Sequence, residues 1–296
     1  MAAALAAEQD GVVRRSQLRE LGVTRHHIRN EVAAGRWAVV GHQTVVIPSS
    51  ALSLRAVLRS AVWESGRDAA LDGVAALLAI GMTGFTTGVI DVSVPHRITG
   101  LNVDGVRHRR RRTMPPVIDG PLRRVHPAFA VIHAAAWAVT DRQAALLMTI
   151  AVQQRLVSTE HLAQAWTRIG RTRRRPLLAA IIRDVSAGAE SLGELDFAAL
   201  CRRYGLPEPD RQVVRTTPQG RIYLDVCWSA IGLVVEIDGG HHGLALNPVD
   251  DALRQNEVVL EGQRVLRIPV IGLRLHEDTF MRQVLRAYVL LSAQAA

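Results

Sequence analysis

Between Arg221 and His242 the chain reads Arg-Ile-Tyr-Leu-Asp-Val-Cys-Trp-Ser-Ala-Ile-Gly-Leu-Val-Val-Glu-Ile-Asp-Gly-Gly-His-His, two alternating runs around a short break. A period of two belongs to strands, where successive side chains leave on opposite faces. Folding the runs together about a turn at Ser229 to Gly232 sets Trp228 opposite Leu233 and Asp225 opposite Glu236. Directly opposed residues of an antiparallel pair stand about 4.5–5.5 Å apart at Cβ, where like charges destabilise unless something offsets them. Asp238, two residues beyond Glu236, returns to the same side, and Leu224, Val226, Val235 and Ile237 fill the other. A slip of one residue would move Asp225 to the opposite face.

Two readings of these acids are open. A hard divalent cation offsets the repulsion: Mg²⁺ takes one or two carboxylates and leaves its other positions to water and phosphate oxygens. Such an ion activates water and steadies the charge on a phosphodiester. Under the competing structural reading the acids pair with nearby arginines or sit on a solvated sheet face.

The 296 residues are about two domains' worth, and a hydrophobic content of 48% allows a proper core. No run of eighteen apolar residues occurs, and the opening Met1-Ala-Ala-Ala-Leu-Ala-Ala-Glu-Gln-Asp has no basic segment. The expectation is a cytoplasmic protein without a membrane partner. Cys201 and Cys227 lack C-x-x-C spacing and are expected to be free thiols. Residues 1 to 189 carry 25 arginines against 13 acids, a net of +12, whereas residues 190 to 296 carry 11 against 14, a net of −3. A polyanion is therefore expected to be held by the first two thirds. The chain has no lysine; an all-arginine inventory suits bidentate phosphate contacts and is equally a mark of a GC-rich genome.

Residues 1 to 50 read as three short helices and a hairpin. Leu5 starts the first helix, Ser16 caps the second, Gly22 stops it, and Thr24 caps a third that runs to Gly35. In the third helix Ile28 and Val32 share a face while Arg25, His26 and Arg29 point elsewhere. Trp37 to Val40 and Thr44 to Ile47 flank Gly41-His-Gln like a two-stranded wing. This arrangement resembles the winged-helix domain of AbiEi-type antitoxins, which presents such a helix to the major groove. Residues 51 to 186 are expected to be mainly helical, with helices near 53–65, 71–80, 127–139, 141–154, 159–169 and 175–186. A strand is expected over 89–95, and a strand or loop over 106–112 carries Arg109, Arg110, Arg111 and Arg112 as phosphate contacts. The order of elements is similar to the region after the winged helix in AbiEi-type proteins. The tract Arg171 to Pro176 is a candidate hinge.

Asp225, ten residues, then Glu236-Ile-Asp-Gly-Gly-His241 resembles the PD-(D/E)XK nuclease motif as it occurs in uncharacterised domains related to very short patch repair endonucleases. The resemblance covers about residues 188 to 292 and implies, for a domain of residues 187 to 296, a restriction-endonuclease-like α/β (α+β) core with a mixed sheet flanked by helices. It implies Mg²⁺ or Mn²⁺ held by Asp225 and Glu236, with Asp238 beside them. Glu194, in Ser191-Leu-Gly-Glu, is a capping-box residue that in the family also reaches the metal, and both roles stay open. Asp250 to Asn256, with Arg254 as a DNA contact, and Gly262 to Ile268 match the family's helix and third core strand. The commonest motif has lysine where this chain has Asp238, so activation of water falls to the metal alone or to the metal assisted by a histidine, His241 first and His242 second, whose unperturbed pKa of about 6.5 suits a base. The resemblances together imply an endonuclease acting on duplex DNA. The alternative is a non-enzymatic DNA-binding regulator or antitoxin with a vestigial nuclease-like domain. A toxin or a second copy of the chain is a further partner that the resemblance admits.

Overall fold

The computed structural model describes residues 1–48, 50–99, 102–187, 197–216, 222–238 and 264–295. The fold is mixed α/β and divides into two compact units, Met1–Trp137 and Ala138–Ala296. That boundary falls inside the stretch expected to be one mainly helical middle domain.

The first unit opens with α1 (Ala2–Glu8), β1 (Val12–Arg14), α2 (Arg15–Glu20), α3 (Arg25–Ala33), β2 (Ala38–Val40) and β3 (Thr44–Val46). The three strands form an antiparallel sheet in the order β1-β3-β2. This is the order and pairing of a winged helix, with one strand more than the hairpin expected from sequence. β1 runs straight into α2, so Ser16 lies within the first turn rather than at the cap. The Arg14 N–H donates instead to Gln17 Oε1 at 2.9 Å. Thr24 caps α3 as expected, its Oγ1 accepting from the His27 N–H at 3.1 Å. Ala6, Val13, Leu18, Ile28, Val45 and Ile47 form the small core.

The same unit continues with α4 (Leu54–Glu64), β4 (Ala70–Leu71), α5 (Gly73–Ala79), β5 (Ile90–Pro95), β6 (Val106–Arg111), β7 (Val117–Ile118), β8 (Arg124–Val125) and α6 (Pro127–Trp137). Its mixed five-stranded sheet has the order β6-β5-β4-β8-β7 and puts β6 at an edge. Three of these strands have two residues, too few for alternation to show in sequence. Asp10 joins the winged helix to α4, its carboxylate accepting from Arg55 and Arg59.

The second unit contains α7 (Asp141–Gln153), α8 (Thr159–Arg168), α9 (Arg175–Ala187), α10 (Phe197–Arg203), β9 (Arg211–Thr216), β10 (Ile222–Trp228), β11 (Leu233–Asp238), β12 (Arg264–Pro269) and α11 (Val270–Ala295), which kinks at His276. Arg174, in the tract considered as a hinge, donates from Nε to Asp141 at 2.6 Å, within this unit. The sheet runs β12-β11-β10-β9; β9, β10 and β11 are antiparallel neighbours and β12 is parallel to β11. One face buries Leu224, Val226, Trp228, Leu233, Val235, Ile237 and Ile268 against Phe197, Leu200, Leu273, Met281 and Val284. No described helix is long and apolar enough to cross a membrane.

Candidate functional site

The β10–β11 turn is a 3-10 turn over Ser229–Ile231 closed by Gly232 at φ +60°. The Ser229 N–H donates to Asp210 Oδ2 at 2.6 Å, and Trp228 Nε1 donates to the Pro207 carbonyl at 3.1 Å. With its turn pinned, the hairpin holds the expected register: Trp228 faces Leu233 and Asp225 faces Glu236, while Asp238 falls opposite Tyr223. Across the sheet the row reads Val213, Asp225, Glu236, Arg267. Two acids therefore stand side by side on the face away from the apolar core.

Glu236 is 7% exposed. A carboxylate that deep, next to another, needs a counter-charge, and Arg267 Nε donates to Glu236 Oε2 at 3.1 Å. Arg267 is a residue that sequence reading missed. The strand around it was legible, but its parallel register was not, because it depends on the connection between β11 and β12. Glu194, His241, His242 and Arg254 lie outside the described residues, and Asp238 is described by its backbone register alone. Among the described residues no group of three or more His, Cys, Asp and Glu is placed to hold a metal ion. The Asp225–Glu236 pair nonetheless has the hard oxygen donors that Mg²⁺ or Mn²⁺ takes by ones and twos.

The candidate nucleic-acid surface lies in the first unit. Arg25, His26 and Arg29 are exposed on α3. A notch of about 640 Å³ opens between α2, the start of α3 and the wing turn, lined by Arg15, Arg19, Arg25, His42 and Gln43 among others. Glu64 at the end of α4 shapes that turn. Its carboxylate accepts from the N–H groups of His42 and Gln43 and from the Thr44 hydroxyl, each at 2.7 Å. Gly41 is at φ +69°, and a Cβ there would come within 2.6 Å of the Glu64 carboxyl carbon.

From Arg109 to Arg112, at the end of β6 and one residue past it, the arginines alternate in exposure. Arg110 and Arg112 are exposed. Arg109 donates to Asp91 at 2.7 Å and Arg111 to Asp72 at 3.2 Å, and both lie against the Trp137 ring. Asp72 is fully buried; it accepts from Ser93 and the Gly73 N–H, and His133 Nδ1 stands 2.9 Å from its Oδ1. Burial raises the Asp72 pKa, but the hydrogen bonds of His133 and Ser93 and the charges of His133 and Arg111 outweigh it and hold the carboxyl below its ordinary value. Burial pushes the Asp91 carboxyl up despite Arg109.

Compared with known proteins, the chain matches no family model and no curated relative.

Proposed function

We propose that the chain is a metal-dependent endonuclease that engages duplex DNA through its N-terminal winged helix. The observation carrying this reading is the direct opposition of Asp225 and Glu236 in a pinned hairpin. Scaffolding gives a chain no reason to set two acids against each other in mid-sheet.

Asp225 and Glu236 would hold Mg²⁺ or Mn²⁺, with Asp238 and Glu194 completing the acidic set. When bound, the ion supplies an activated water and charge stabilisation at the phosphodiester. Arg267 is the fixed positive charge beside the acids in a chain without lysine. A guanidinium cannot be deprotonated in a protein, so Arg267 neutralises developing charge and the base is His241. The exposed arginines and histidine of α3 read base edges, and Arg110 and Arg112 hold backbone phosphates.

A second reading is a DNA-binding regulator whose nuclease-like domain is silent. The ion pair of Arg267 with Glu236 favours it, because a satisfied carboxylate needs no cation. One assay separates the two: purified protein with plasmid and linear duplex in Mg²⁺, Mn²⁺ or EDTA, beside the Glu236→Gln and His241→Ala variants. Cation-dependent cutting that Glu236→Gln abolishes and His241→Ala slows by about 10²–10⁴-fold supports the nuclease. DNA binding with no cutting under any condition leaves the regulator.

A further inference from the structure

Next to the winged helix lies a smaller cavity, of about 270 Å³, lined by Arg14, Arg59, Trp63, Arg67, Asp119 and Arg123 among others. Four guanidinium groups thus share it with one carboxylate. Arg59 is fixed in place: it is 6% exposed, donates to Asp10 from Nε and Nη2, and donates to the Pro121 carbonyl from Nη1 at 2.9 Å. Arg14 and Arg59 both lie against the Trp63 ring, at 5.1 and 5.7 Å from its centre. Arg123 pairs with Asp119, whose own side chain is 80% exposed. Arg14 and Arg67 form no ion pair among the described residues.

Nε of Arg14 and Nε of Arg123 are shut off from solvent with no hydrogen-bond partner among the described residues. Any ligand in the cavity would therefore meet the terminal nitrogens of these guanidinium groups rather than Nε. Burial also pulls the Arg14 pKa below its ordinary value, with Glu64 working the other way. With Arg59 held by Asp10 and Arg123 by Asp119, Arg14 and Arg67 are the two cations of the cavity left for an added anion.

We propose that this cavity binds a phosphate group. Planar guanidinium forks match phosphate oxygens in pairs, and the excess of arginine over acid suits a multiply charged anion better than a single carboxylate. The volume holds a phosphate with several waters, at about 30 Å³ each, but falls short of the roughly 300–1,000 Å³ of a drug-sized pocket. The site also touches the DNA-facing side through the chain itself. Arg14 precedes Arg15, which lines the notch, and Trp63 precedes Glu64, which holds the wing turn. The phosphate belongs either to a small molecule or to a DNA backbone.

The test is isothermal titration calorimetry of the full chain with inorganic phosphate and with pyrophosphate at constant ionic strength. Saturable binding is expected, weakened about tenfold or more in Arg14→Gln and in Arg67→Gln, as loss of one charge-assisted hydrogen bond implies. Arg67 is exposed, so its replacement leaves the fold in place. Arg282→Gln, the same charge change on an exposed residue of the second unit, is expected to bind as the parent does. Repeating the titration with saturating duplex tells the source: blocked binding assigns the site to backbone phosphate, and retained binding assigns it to a small phosphorylated ligand. Absence of saturable binding, or equal binding by the Arg14 and Arg67 variants, overturns the site. Neither result bears on cleavage at Asp225 and Glu236.

Discussion

Asp225 and Glu236 face each other across β10 and β11, and Arg267, next in the row, donates to Glu236. Under the metal reading, removing the Asp225 charge relieves repulsion from Glu236 and leaves the Arg267–Glu236 pair whole. Asp225→Asn should raise stability in EDTA by about 0.2–1 kcal/mol, seen as a higher urea midpoint. Glu236→Gln should gain less or lose, since it leaves the Arg267 charge without its carboxylate. A clear loss in Asp225→Asn would show that Asp225 itself is a structural ion-pair partner, and the metal reading would go with it. Elsewhere, Asp72 makes stability depend on acid. Its folded pKa lies below the unfolded value of about 3.9, so its contribution is complete above that value and disappears as pH falls through the folded one. Asp72→Ala should cost about 3–5 kcal/mol at neutral pH, because it strands the buried ends of His133 and Arg111. The gap to the parent should close on acidification, as measured by denaturation between neutral and strongly acidic pH. Burial pushes the Cys201 thiol up to about 12, which leaves it inert toward alkylation in the folded state.

At the level of elements, the wing turn and β6 carry the sharpest expectations. Gly41→Ala forces a side chain into a left-handed position and into the Glu64 carboxyl. Glu64→Ala removes the acceptor for two backbone N–H groups of the turn. Both should lower discrimination between DNA sequences more than total affinity, and competition binding against random duplex would measure it. Equal discrimination by both variants would remove the wing from recognition. The elements also divide by how readable they were. The β10–β11 register was legible because both strands alternate cleanly and Gly232 fixes the turn between them. α3 was legible through its Thr24 cap and the longer helices through their alanine-rich runs, to which the structure adds caps at Ser53, Thr140 and Ser158. The five-stranded sheet was not, since Ala70–Leu71, Val117–Ile118 and Arg124–Val125 are too short to carry a period. Among the candidate DNA contacts, Arg109 and Arg111 looked the same in sequence as Arg110 and Arg112. Only the pairing of β6 with β5 brings Arg109 to Asp91, and only the packing of α5 and β5 brings Arg111 to Asp72.

For the molecule as a whole, the first unit carries 17 arginines against 10 acids, and under the proposed function DNA affinity is expected to reside there. Replacing Arg110 or Arg112 with Gln should each remove about one unit from the slope of log affinity against log salt, uniformly across sequences. Arg25→Gln or Arg29→Gln should instead erode sequence preference. Arg109→Gln and Arg111→Gln should lower the melting temperature with little change in slope. The reverse assignment, a slope change at Arg109 and none at Arg110, would show that β6 meets DNA with its other face. The bonds from Asp10 to α4 and from Glu64 to the wing turn carry a further meaning under the proposed function. A reading head on a slack tether searches independently of its body and multiplies affinity through local concentration. Bolted at two points, this head can only arrive with the five-stranded sheet behind it. The spacing between the bases it reads and the phosphates gripped by the rest of that unit then becomes a built-in length, and the first unit acts as a gauge that rejects sites whose groove and backbone are out of step.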